Sequence, residues 1–286
     1  MTAEESRPAE GRPRILVGVD GSEDGLRAVR YAMEAAQAGG ADVWIVHALD
    51  TAAQVTGLWD IVITPDMLTQ AGAAAVADAT RVVADFGLPD DRVRAEVVTG
   101  FAGEVLGDLS SQAQLLVLGR RSLRGLGRMF VGSTSVAAAS RAECPVVVVS
   151  AASTPHRTGG LRTVAVAINT WPVHESALEW GLREAKLRNA RLRVVHVVPE
   201  TLGVEGAQFV SAASAGLGEQ LAPFRAAHPD VPIEVEVLLG DPADALVEVS
   251  RSVDLLILGE RHRRLVLGGP VRAVLAHAHC PVGLIR

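Results

Sequence analysis

The chain says the same thing twice, and that repetition limits its fold more than any other feature. Arg14–Asp20 (RILVGVD) is a short apolar run closed by Asp-Gly-Ser, and Val164–Asn169 (VAVAIN) resembles it. Asp42–Leu49 (DVWIVHAL) has a counterpart in Leu192–Val198 (LRVVHVV), Arg92–Val98 before Gly100 in Ile233–Leu238 before Gly240, and Leu115–Leu118 before Gly119 in Leu255–Leu258 before Gly259. Cys144-Pro145 is matched by Cys280-Pro281. The spacing between copies shrinks from 149 at the histidines to 140 at the glycines and 136 at the cysteines, so the second copy carries small deletions. The join is Ala151–Arg162, a Pro/Gly/Ser/Thr-rich linker.

Each copy alternates buried strands with amphipathic helices. In the first, Ser22 with Glu23 and Asp24 marks a helix start, Leu26, Val29, Met33 and Ala36 recur at helical spacing, and Gly39-Gly40 ends the helix. Further helices are predicted over Met67–Phe86, Glu104–Gln112 and Ser133–Arg141, and a fifth strand over Pro145–Val149. Strands in this order, each followed by a helix, make a parallel sheet covered on both faces, because parallel crossovers place helices there. The expected domains are 13–150 and 161–286.

Composition narrows the function classes. The 286 residues are 49% hydrophobic and 21% charged, the usage of a globular chain. No run of 18 apolar residues occurs and residues 1–12 lack an apolar signal core, so neither a membrane span nor secretion is expected, and the cytoplasm is the expected compartment. A net charge of -6 gives no reason to bind nucleic acid or an anionic membrane. Lys186 is the only lysine, and it sits among Arg183, Glu184 and Arg188 on what reads as a solvated helix face. A Walker-type phosphate loop, which needs a lysine after its glycines, is therefore absent.

The chemistry-bearing stretch is Leu118–Ser135, LGRRSLRGLGRMFVGSTS. It leaves the carboxyl end of a buried strand and reaches a helix N-terminus. Unpaired N–H groups after Gly132, with the hydroxyls of Ser133, Thr134 and Ser135, make an anion site. Arg120, Arg121, Arg124 and Arg128 favour a polyphosphate; a Gly-rich, Arg-decorated surface loop is the plainer alternative. Asp20 is either a turn residue capping the next helix or a ligand contact at the strand's carboxyl end. His47 and His196 read as satisfied, partly buried histidines. His277, His279 and Cys280 read as a helix end and not a metal site, and Cys144 and Cys280 as buried apolar positions.

These residues resemble the universal stress protein family in its tandem-domain form. The family's nucleotide motif is Gly, two residues, Gly, nine residues, then Gly-Ser or Gly-Thr. This chain has Gly119, two residues, Ser122, nine residues, then Gly132-Ser133. The resemblance extends over Arg14–Val149 and Leu161–Arg286. It includes Val19-Asp20-Gly21-Ser22, Val46-His47 and Cys144-Pro145-Val146. It implies two Rossmann-like lobes of the adenine nucleotide alpha hydrolase type, each a five-stranded parallel α/β sheet of order 3-2-1-4-5. By position it implies an ATP site at Gly18, Val19 and Asp20, at Ala48, and at Leu118, Gly119, Ser122, Gly132, Ser133, Thr134 and Ser135, with Mg2+ as companion. Ser122 departs from the motif. The second copy departs further. Asn169 replaces Asp20 and Val197 replaces Ala48; Glu260 follows Gly259, and Gly269 and Pro270 replace Ser133 and Thr134. The expected function is ATP-dependent stress or signalling regulation through a regulatory protein partner. A nucleotide-free interaction module and a slow ATP hydrolase are the alternatives. The final strands, Val146–Val149 and Val282–Ile285, are expected to pair and join the lobes, and two chains to form a homodimer.

Overall fold

The computed structural model describes residues 11–50, 64–120, 133–153, 162–169, 175–200, 206–259 and 268–286, and among these described residues ten strands and eight α-helices alternate. The chain divides into two compact units, the first carrying the described residues up to Val149 and the second those from Ser150 onward.

In the first unit the order is β1 (Arg14–Gly18), α1 (Glu23–Gly39), β2 (Asp42–Leu49), α2 (Pro65–Ala84), β3 (Val93–Thr99), α3 (Ala102–Leu109), β4 (Leu115–Gly119), α4 (Ser133–Arg141) and β5 (Val146–Val149). All strand pairs are parallel: β3 on β2, β2 on β1, β1 on β4 and β4 on β5. The central strands are continuous apolar runs because helices cover both their faces, and Leu16, Val17, Leu116, Val117 and Val147 are fully buried. α1 packs with α2, and α3 with α4. The chain therefore reverses its direction of winding between β3 and β4, and the carboxyl ends of β1 and β4 form the switch point.

The second unit repeats the plan. It runs β6 (Arg162–Ile168), α5 (Glu175–Leu187), β7 (Ala190–Val198), α6 (Gly206–Ala227), β8 (Ile233–Leu239), α7 (Pro242–Val249), β9 (Leu255–Gly259), α8 (Gly269–His277) and β10 (Val282–Ile285). Its parallel pairs are β8 on β7, β7 on β6, β6 on β9 and β9 on β10.

Local chemistry explains the boundaries. Ser22 caps α1, its Oγ accepting from the Gly25 N–H at 3.1 Å, and Gly40 ends the helix in the left-handed region at φ 67°. α2 starts two residues before the predicted Met67, because Thr64 caps it and Pro65 supplies a preset first turn. The predicted helix over Glu104–Gln112 is α3 followed by a short 3-10 turn at Ser110–Gln112. One surface reading needs correction: Glu184 is buried and ion-paired with Arg188, so only part of that helix face is solvated. Lys186 is exposed and pairs with Asp230 at 2.7 Å, which holds that carboxyl below its ordinary pKa.

Candidate functional site

The first unit gathers its chemistry at the carboxyl edge of the sheet. β1 ends at Gly18, and Val19 continues in line, donating its N–H to the Val46 carbonyl at 3.0 Å. The Val19 carbonyl is bonded to His47 Nδ1 at 2.9 Å, and His196 makes the same bond to Ile168 in the second unit. Both histidines are thus satisfied cross-strand links, as their matched positions suggested. Backbone groups alternate sides along a strand. Since Val46 turns its carbonyl toward β1, Ala48 turns its N–H and carbonyl the same way, past the end of β1. Leu49 faces β3, where its carbonyl accepts from the Gly100 N–H at 2.9 Å.

Asp20 is exposed at the end of β1, and its Oδ1 accepts from the Ser22 N–H at 3.0 Å and the Ser22 Oγ at 2.5 Å. The turn reading of Asp20 is therefore correct. It coexists with an exposed location at the switch point, where a carboxylate can accept hydrogen bonds from a ligand. Gly21 takes φ 75° to make this turn and lies against Ala75 of α2, 3.6 Å from an added Cβ.

β4 brings Leu118 and Gly119 to the same edge. Leu118 is buried, and Gly119 accepts at its carbonyl from Ser135 Oγ at 3.0 Å. Ser135 is buried and Thr134 half-buried in the first turn of α4, whose leading N–H groups lack helical partners. Ser122 and Gly132 fall within 121–132, outside the described residues, as does the side chain of Ser133. Of the expected site residues, Gly18, Val19, Asp20, Ala48, Leu118, Gly119, Thr134 and Ser135 share this one edge.

Two readings change. Arg120 was expected among the phosphate-facing cations, yet it is only 5% exposed. Burial pulls its pKa down, and the charge of Asp24, itself 4% exposed, pushes it back up. Asp24 also pairs with Arg27 at 2.8 Å. Arg120 therefore anchors the start of the Gly-rich segment inside the protein. Gly119, which the resemblance puts in the ATP site, makes room for α1. A Cβ there would stand 2.5 Å from the Asp24 carbonyl carbon and 2.7 Å from the Gly25 nitrogen.

The sequence reading missed Phe101, which is 44% exposed at the start of α3. Comparing the residues after Gly100 and Gly240 would have found it, since the second copy has Asp241 there. Among the described residues no group of three or more His, Cys, Asp or Glu is placed to hold a metal ion. Burial pushes the thiols of Cys144 and Cys280 up to about 12, so both stay protonated at neutral pH. No helix among the described residues is long and apolar enough to cross a membrane.

In the second unit Asn169 is exposed at the end of β6. α8 opens with Gly268 before it and Pro270 in its first turn, which removes one N–H from that helix start. Residues 260–267 lie outside the described residues.

Comparison with known proteins gives one family. The profile of the universal stress protein family matches residues 11–150 and again 160–286. A universal stress protein of Mycobacterium tuberculosis is 28% identical over 292 residues, covering 95% of this chain and 96% of its own. One of Mycolicibacterium smegmatis is 30% identical over 293 residues, with the same coverages. Among solved structures, a universal stress protein from Archaeoglobus fulgidus superimposes with a TM-score of 0.69 at 16% identity, covering 96% of this chain and 98% of its own, and shares the fold.

Proposed function

The chain belongs to the universal stress protein family, and from that premise we propose that its first unit binds ATP and that the protein acts as a nucleotide-responsive stress or signalling regulator in the cytoplasm. The observation that carries this reading is the convergence on one sheet edge of an exposed carboxylate, an open strand end and a helix N-terminus. Asp20 offers an acceptor to hydroxyl or amino donors of adenosine. Ala48 offers peptide groups past the end of β1. The first turn of α4, with Thr134 and Ser135, offers amide donors to phosphate. Gly18, Val19, Leu118 and Gly119 shape the floor, Gly132 and Ser133 continue the motif in sequence, and Ser122 stands where the motif has its second glycine. Mg2+ would arrive with the phosphates, keeping waters and bridging phosphate oxygens as that ion usually does.

Regulation is favoured over catalysis by what surrounds the edge. His47 binds the Val19 carbonyl through Nδ1 and packs its other edge against Gly72 of α2, where an added Cβ would stand 3.4 Å from Nε2, and Asp20 Oδ1 already accepts from Ser22. A nucleotide-dependent change in the choice of a protein partner is the output we assign.

The test is calorimetric titration of ATP into the purified protein and into Asp20→Asn. Asn keeps the turn, because its side-chain oxygen still accepts from Ser22, but it removes the charge. ATP affinity is expected to drop about tenfold, a loss of about 1.4 kcal/mol. Equal affinity in both proteins removes Asp20 from the site.

A further inference from the structure

α3 begins without a side-chain cap, since the residue before its first turn is Phe101, which has no acceptor to offer. The matched helix α7 is capped by Asp241, whose Oδ1 accepts from the Ala243 N–H at 2.8 Å and the Asp244 N–H at 3.2 Å. α7 also opens on Pro242 where α3 opens on Ala102, and the backbone leading into the two helices is alike. Gly100 donates to the Leu49 carbonyl at 2.9 Å and Gly240 to the Val198 carbonyl at 2.9 Å, and both glycines have large positive φ, 144° and 150°. The first unit thus has an aromatic where the second has a cap. A lone exposed apolar residue is ordinary. One that displaces a helix cap at the rim of a binding edge is a local conflict of the kind that functional sites retain.

The ring's surroundings are specific. Through Gly100 it is tied to Leu49, one residue beyond the Ala48 peptide groups. Its Cε1 lies over Gly103, 3.0 Å from where a Cβ at that position would stand. Gly103 in turn lies against Ala137 of α4, three residues after Thr134, with only 2.6 Å between an added Cβ and the Ala137 methyl carbon. Small residues beneath the ring let it rest on α3 with part of its surface open to solvent.

We infer that Phe101 is the base-stacking residue of the nucleotide site, its ring forming a wall against which adenine lies. This rests on the nucleotide reading above. A base presents a π-face to such a ring, and the stack contributes affinity without reading hydrogen-bonding edges. Phe101 would make the site prefer a nucleobase-bearing ligand over bare polyphosphate.

The experiment uses Phe101→Asn and Phe101→Trp in the full chain, titrated with ATP and with inorganic tripolyphosphate. Asn removes the ring, adds no charge and supplies a cap. Phe101→Asn is expected to weaken ATP about tenfold or more, leave tripolyphosphate within about twofold, and melt higher than wild type without ligand. Phe101→Trp is expected to hold ATP within about threefold of wild type, because it restores a stacking face. Unchanged ATP affinity in Phe101→Asn overturns the assignment, and so does an equal loss for both ligands. A Phe101→Asn protein that melts lower and binds ATP like wild type places the ring in α3–α4 packing instead. Wild-type protein that binds no ATP sinks the nucleotide reading and this inference together; wild-type binding with an indifferent Phe101→Asn sinks this inference alone.

Discussion

A methyl group on Gly119 has nowhere to go. It would meet backbone atoms of Asp24 and Gly25 at 2.5 to 2.7 Å, and backbone cannot rotate aside as a side chain does. Gly119→Ala is therefore expected to destabilise the first unit by about 1–3 kcal/mol, by overpacking, seen as a lower urea midpoint with an unchanged slope. Unaltered stability would show that α1 can retreat from β4 at no cost. Gly119→Val cannot serve as a test of phosphate binding, because loss of packing would mask loss of ligand. The sequence placed Gly119 and Arg120 correctly at a strand end but could not say which neighbour claimed them. The claimant, Asp24, lies 95 positions from Gly119, and its burial is decided by how α1 packs on β4. His47 was easier to read, because its twin at His196 made a shared structural role the economical reading, and both make the same 2.9 Å bond.

Elements were legible where local chemistry sets them. Apolar runs gave the central strands, and Ser22 and Gly40 fixed both ends of α1. What escaped was chemistry that joins distant segments. Ser110, fully buried after α3, donates its Oγ to the Gly107 carbonyl at 2.5 Å and accepts from the Glu143 N–H at 2.8 Å. Ser250 does the same after α7, donating to Val247 at 2.5 Å and accepting from the His279 N–H at 2.9 Å. Each serine ties the end of a crossover helix to the residue before a cysteine, half-buried at Cys144 and buried at Cys280, and so fixes where the last strand of its unit begins. Ser110→Ala and Ser250→Ala each take the acceptor from a part-buried amide, and each is expected to lower stability by about 0.5–1.5 kcal/mol, measured by denaturant melting. Similar losses from the two variants are the expected outcome; a harmless change at either position would mean that water replaces the hydroxyl there.

At the scale of the whole chain, two units share one plan but not one chemistry. Residues that hold each sheet together are retained in both, the two histidines at the carboxyl edge and the two serines before the last strand. Residues that would face a ligand diverge: Asp20 against Asn169, Phe101 against Asp241, Ser133 and Thr134 against Gly269 and Pro270. Pro270 subtracts a donor from the start of α8, where α4 keeps its own. The central claim is that ATP binds at the Asp20 edge of the first unit and not at its degenerate copy. The most direct measurement is the stoichiometry of ATP binding by calorimetry, in wild type, Asp20→Asn and Asn169→Ala. The account predicts one tight site per chain, weakened about tenfold by Asp20→Asn and untouched by Asn169→Ala. Two sites of equal affinity, or a single site that responds to Asn169→Ala and ignores Asp20→Asn, would contradict it.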